Sequence, residues 1–198
     1  MDDIWRIPHC PEPPEWRLDM AALRATFPWL EPLGECPQDP LFHAEGDVLT
    51  HLGMVLTELA ALPAFRDLSE ADRHIVFAGT LLHDIAKPEC TREEDGRIRS
   101  PGHAVKGVYK ARRILADDPA FAPLGTPFAV REQILGLVRW HGLPANYLEK
   151  PDPMRAVISV RSLKVAVFSP RSITPPGEPA PARMAFGPRL MVRALELY

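Results

Sequence analysis

Proline crowds the two ends of this 198-residue chain. Its count of 23 is about twice an ordinary usage of roughly 5%. The lead MDDIWRIPHCPEPPEW and the late stretch SPRSITPPGEPAPARMAFGP are especially rich in it. A proline inside a helix removes a backbone donor and drives its ring into the preceding turn. Both ends are therefore expected to be irregular, and packed structure lies between them.

The middle of the chain has helical periodicity. RLDMAALRATFPWLEPL is expected to form a first helix, with Leu18, Ala22, Ala25 and Trp29 near helical spacing, broken by Pro32, Gly34, Pro37 and Pro40. A second helix runs from about Gly46–Asp47 to Leu62, and places Val48, Leu52, Val55, Leu56 and Leu59 on one face. Ser69 and Asp72 form a variant capping box, with Asp in place of the usual Glu. They open a third helix whose apolar face is Ile75, Ala78, Leu82 and Ile85, and which ends before Pro88. The Asp95-Gly96 pair predicts a small hairpin. A fourth helix starts at Gly102–His103 and runs through Leu115, DDPAFAPLGTP is a loop, a fifth helix covers Phe128 to Trp140, and a sixth covers Pro153 to Phe168. No internal repeat is present. The expected class is all-α, a helical bundle with a small hairpin insertion and an irregular proline-rich tail.

The length suits one domain with a real core, and 46% hydrophobic residues with a net charge of -3 fit a soluble globular protein. That balance excludes a nucleic-acid binder held by bulk charge, while a local basic patch stays open. No apolar run approaches the roughly 20 residues needed to cross a bilayer, and acids and prolines stand where a signal peptide would be basic and then apolar. The expectation is a cytoplasmic protein with no membrane partner. Cys10, Cys36 and Cys90 form no CxxC pair, and read as free thiols in a reducing compartment.

Seven histidines punctuate the helices. His9 and His74 read as capping or surface groups. His51 lies inside the second helix, His83 and Asp84 close the third, His103 opens the fourth and His141 closes the fifth. Imidazoles and a carboxylate converging from several helices suit a divalent transition metal, or two sharing the Asp. Adjacent residues on a helix point about 100° apart. A buried His83 beside a buried Asp84 therefore needs two sets of polar partners, and leaving them unpaired costs several kcal/mol. A metal satisfies both at once.

LLHDIAKPE followed by DGRIRSPGHAVKG, with FHAEGDVLTHLGMV upstream, resembles the HD-domain metal-dependent phosphohydrolases. The likeness is to the HD domain of bacterial tRNA nucleotidyltransferases and poly(A) polymerases, and to stand-alone relatives beside polynucleotide kinases. It covers roughly residues 36–158, leaving 1–35 as a lead with the first helix and 159–198 as a divergent tail. The resemblance implies metal ligation by His51, His83 and Asp84, with His103 and His141 at positions that bind a second metal in two-metal members. The ion would be divalent: Mn, Mg, Ni, Co, Zn or Fe. Asp84 and Lys87 would carry the catalytic step, and Lys87, in the HDxxK position, would hold a phosphate. As a lysine at a helix C-terminus it would equally be favoured by the dipole. Asp47 either orients His51 or is an ordinary N-terminal helix acid. His43 is a candidate phosphate contact. Arg97 and Arg99 are candidates too, since arginine forks suit phosphate oxygens, although Glu93, Glu94 and Asp95 among them also fit a solvated hairpin face. Trp140 is either a wall beside His141 or a core residue.

Two departures from the family pattern stand out. Ala86 replaces a frequent glycine, and the late Asp that completes the first metal's shell is missing, since no acid occurs between Asp152 and Glu178. Composition shifts after about Ser159, so residues 159–198 are expected to be non-homologous, from a frameshifted or truncated reading frame. The implied function is a phosphodiesterase or phosphatase acting on a nucleotide or RNA-end phosphoester, impaired if that ligand is lost. Two alternatives use the same residues: a non-catalytic module for an RNA-repair or tRNA-processing partner protein, and an HD-type iron oxygenase.

Overall fold

Asp19 accepts from the Ala22 amide at 2.9 Å and opens helix α1, Met20–Thr26. The structure, a computed structural model, describes residues 4–41, 43–121 and 125–142. The expected single first helix is split. Pro28 removes a donor and holds Phe27 out of helical geometry (φ -121, ψ 80), so a 3₁₀ segment, Pro28–Leu33, follows. The fully buried face is Leu23, Phe27, Leu30 and Leu33, while Leu18 and Trp29 of the expected face are partly buried against the core.

Helix α2, Val48–Ala61, starts where Asp47 accepts from both the amide and the hydroxyl of Thr50, each at 2.8 Å. Its buried residues are the expected stripe together with His51 and Ala60. Leu62 turns extended ahead of Pro63, and a single turn, α3 (Pro63–Arg66), follows. Ser69 caps α4, Glu70–Leu82, by accepting from the Asp72 amide at 3.2 Å while donating to Asp72 Oδ2 at 2.6 Å. Helix α4 stops well short of Pro88. Three-residue closures, Ile85 amide to Leu82 carbonyl (3.2 Å) and Lys87 amide to Asp84 carbonyl (2.9 Å), replace the α pattern. A short 3₁₀ turn, Lys87–Glu89, completes the change.

Strands β1 (Arg92–Glu94) and β2 (Arg97–Arg99) form the expected antiparallel hairpin, with Glu93 opposite Ile98. Asp95 and Gly96 have φ of 53° and 70°, the left-handed geometry that a tight hairpin turn requires. Helix α5 is His103–Asp117 and α6 is Phe128–Trp140, with a 3₁₀ turn at Pro119–Phe121 inside the expected loop. The expected sixth helix, the tail and the question of a late acid lie outside the described residues.

Helix α4 is the centre of the core, with every residue from His74 to Leu82 buried. Helix α2 packs against it, and α6 packs on both α4 and α5. Gly79 permits the α4–α6 contact, because a Cβ there would lie 2.5 Å from Leu137 Cδ1 and 2.8 Å from its Cβ. The proline-rich lead is irregular yet tied down. Ile7 and Cys10 are buried, and the Ile7 amide donates to His74 Nδ1 at 3.3 Å. His74 is thus a core residue, 2% exposed, where a surface group was expected, because the lead supplies its polar partners. The three cysteines are free and buried, and burial pushes the Cys10 thiol up to about 12. No helix among the described residues is long and apolar enough to cross a membrane.

Candidate metal centre

Helix ends converge at one buried point. His83 caps the C-terminus of α4, His141 caps that of α6, and His103 is the first residue of α5. Each ring places Nδ1 on the main-chain carbonyl three residues earlier: His83 on Thr80 at 2.6 Å, His103 on Ser100 at 2.7 Å, His141 on Val138 at 2.8 Å. A carbonyl only accepts, so Nδ1 carries the hydrogen in each case and the Nε2 lone pair is directed inward.

Those Nε2 atoms meet Asp84. His83 Nε2 lies 3.0 Å from Asp84 Oδ2, while the Nε2 atoms of His103 and His141 lie 3.4 and 3.7 Å from Oδ1 and 3.1 Å from each other. Asp84 is 3% exposed, and its Oδ1 has no hydrogen-bond donor among the described residues. His51 enters from α2, its ring centroid 6.2 Å from that of His83. Two ligand groups result, His51–His83–Asp84 and Asp84–His103–His141, each with its donor atoms within 4.8 Å of one another and both using Asp84. A donorless buried carboxylate oxygen surrounded by inward lone pairs fits a divalent cation, and a mixed imidazole and carboxylate set suits a transition ion.

Electrostatics favour the ligand forms of the rings. Burial, the largest cause, lowers His51 to about 4 and His141 to about 3, and it lowers His103 as well. Neutral imidazole is the form that binds metal. Burial alone would raise Asp84, but the His83 ring and the Lys87 ammonium beside it hold the carboxyl well below its usual range.

The other predicted residues fall in three places. Lys87 belongs to the site: its ammonium lies 2.9 Å from Asp84 Oδ2 and donates to Gln38 Oε1 at 2.6 Å. It does not sit on the last turn of α4, so the helix-dipole reading does not apply. His43 stands edge-on to His51, with centroids 4.8 Å apart, and its Nδ1 is 3.0 Å from Glu45 Oε1. Arg97 pairs with buried Asp39 at 2.6 Å, tying the hairpin to the segment before α2, and Arg99 is exposed opposite Arg92. Asp47 is the cap of α2, not the partner of His51. Trp140 is half-buried with the Arg139 guanidinium 4.4 Å above its ring.

Glu45 and Gln38 were missed by the sequence reading. Glu45 Oε1 lies 2.6 Å from His51 Nδ1. The signal was local: Asp47 occupies the capping position, where its carboxylate is committed to the Thr50 amide and hydroxyl, which leaves Glu45 as the nearby acid. Gly46, with φ of 99°, turns the chain between the two acids. Nothing in the local pattern around Gln38 points to Lys87.

The model of the HD domain family matches residues 48–166. The Multifunctional CCA protein of Halorhodospira halophila (strain DSM 244 / SL1) is 34% identical over 120 residues, covering 61% of this chain and 25% of that protein. That of Thioalkalivibrio sulfidiphilus (strain HL-EbGR7) is 35% identical over 135 residues, covering 68% of this chain and 29% of that protein. The chain thus matches less than a third of the length of these curated relatives. No solved structure matches it significantly. With the family model spanning more than half of its length, the chain belongs to the HD domain family.

Proposed function

We propose that this protein is a metal-dependent phosphohydrolase acting on the phosphoester of a nucleotide or an RNA end. The observation that carries the reading is Asp84. One of its oxygens has no donor among the described residues and faces two inward Nε2 atoms, while the other is held beside the Lys87 ammonium. His51, His83, Asp84, His103 and His141 would hold the ion or ions. A bound divalent ion supplies Lewis acidity toward phosphoryl oxygens and lowers the pKa of a water.

The chain's own residues supply the remaining functions. The main-chain carbonyls of residues 80, 100 and 138 fix three rings before any ligand arrives, which limits reorganisation during the reaction. Lys87 places positive charge where a phosphoryl group gains negative charge. His43, Arg97 and Arg99 are proposed as contacts for the substrate's other phosphate oxygens. The likeness to Multifunctional CCA proteins supports a tRNA-related substrate, and a tRNA-processing or RNA-repair protein is proposed as partner.

The test is to measure metal content in the purified protein, then hydrolysis of bis-p-nitrophenyl phosphate with Mn, Ni, Co and Mg, and to repeat both with Asp84→Ala. Turnover that needs an ion and disappears in the variant is expected. No metal and no turnover under any ion would end the enzymatic reading and leave a non-catalytic module. Bound iron with oxygen consumption would replace hydrolysis by oxygenation.

A further inference from the structure

His51 differs from the other histidines of the centre in how its ring is held. His83 and His141 stand at helix C-termini, where main-chain carbonyls lack helical amide partners, and His103 stands just after the Ser100 carbonyl of the turn that precedes α5. Each uses the carbonyl three residues back. His51 is the fourth residue of α2, inside a continuous helix where the carbonyls already accept from amides; its own amide donates to Asp47 at 3.1 Å. Its ring takes no backbone acceptor among the described residues. Its Nδ1 instead meets Glu45 Oε1 at 2.6 Å.

We infer that Glu45 is the positioning residue of the centre: it holds His51 as the Nδ1–H tautomer, so that Nε2 is presented toward His83 and Asp84. This rests on the metal-dependent reading above and adds a residue to it. A carboxylate accepts only, so Nδ1 must carry the hydrogen. Glu45 is in turn fixed by its loop. Pro37 pairs with Asp47 across the loop base, the Gln38 amide donates to the Gly46 carbonyl at 2.9 Å, and the His43 ring bonds the same Glu45 oxygen at 3.0 Å. The Glu45 side chain is 15% exposed, so water competes little for this contact. Outer-shell carboxylates of this kind typically carry a 10–100-fold effect on metal affinity.

Calorimetric titration of the full chain with Mn2+ tests the inference, using wild type, Glu45→Ala, Glu45→Gln and His51→Ala. The expected loss for Glu45→Ala is about 10–100-fold in Mn2+ affinity, with the melting temperature of the metal-free protein close to wild type. Glu45→Gln keeps an acceptor oxygen and is expected to recover most of that affinity. Nitrogen NMR of the imidazoles supplies a readout that a merely structural role would not move. His51 is expected to be Nδ1–H in wild type and Glu45→Gln, and to shift toward Nε2–H in Glu45→Ala, with the rings of His83, His103 and His141 unchanged. If Glu45→Ala does not fold, the Glu45→Gln affinity and the wild-type His51 tautomer decide: an Nε2–H form in wild type overturns the inference. Unchanged Mn2+ affinity in Glu45→Ala, beside a loss in His51→Ala, overturns the role of Glu45 alone. Absence of Mn2+ binding by wild type overturns the metal reading and this inference with it.

Discussion

The Nε2 atoms of His103 and His141 face each other at 3.1 Å, although the Nδ1–H of each ring is already committed to a main-chain carbonyl. Two acceptors at this distance repel unless a proton or a cation lies between them. Burial opposes the proton at both rings. Mn2+ is therefore expected to raise the melting temperature, and a chelator to reverse the rise. Mass action sets the size at about 2.7 kcal/mol when free ion is 100 times its dissociation constant. His141→Ala should remove most of the effect, as read by thermal unfolding with and without ion.

Acid should destabilise the metal-free protein before its carboxylates titrate. His51 and His141 have folded-state pKa values of about 4 and about 3, below the ordinary 6.5. Between those values and 6.5 the unfolded chain binds more protons than the folded one, so stability rises with pH there. The contribution is fully present above about 6.5 and is lost as pH falls toward 4 and 3. Urea unfolding from pH 7.5 to 4.5 should show this decline, and the double variant His51→Gln/His141→Gln should flatten it.

Gly79→Ala should damage the site from a distance. Its Cβ would enter Leu137, forcing α4 and α6 apart. Overpacking of this kind costs about 1–3 kcal/mol. His83 and His141 cap these two helices, and their ring centroids are 5.0 Å apart. Mn2+ affinity should therefore fall together with stability, and Leu137→Ala in the same chain should recover part of both.

Asp84→Asn tests the buried charge balance. Asp84 is the counter-charge of Lys87, whose side chain is 12% exposed. Removing one partner of a buried pair typically costs about 3–5 kcal/mol. Adding Lys87→Met to Asp84→Asn should restore stability without restoring metal binding, so denaturant midpoints and Mn2+ titration should separate. Metal binding that survives Asp84→Asn would show that the centre lies elsewhere.

Patterns confined to one helix were legible in the sequence. The Ser69 cap, the α2 stripe, the Asp95-Gly96 turn and the bounds of α6 all follow from neighbouring residues. So did the gathering of His51, His83, Asp84, His103 and His141, because histidines at helix ends and on a buried helix face carry a chemical signature. Features set by tertiary contact were not legible. Burial of His74 depends on the Ile7 amide, far away in sequence. The burial of Leu30 and Leu33 beyond α1 depends on the pitch change at Pro28. Gln38 reaches Lys87 only because the segment before α2 folds over the end of α4. Glu45 was hidden by Asp47, a more obvious acid whose carboxylate the helix itself uses.

Thr80, Ser100 and Val138 hold their histidines through main-chain oxygen atoms. Most side-chain replacements at those positions leave the acceptors in place. The aim of three imidazoles is therefore insulated from ordinary point mutation and is altered only by moving a whole helix terminus. Proteins with this device can exchange the residues lining their entrance and change what they admit, while the inner geometry persists. The fourth imidazole, held by a replaceable carboxylate, is where single-residue variation can retune the centre.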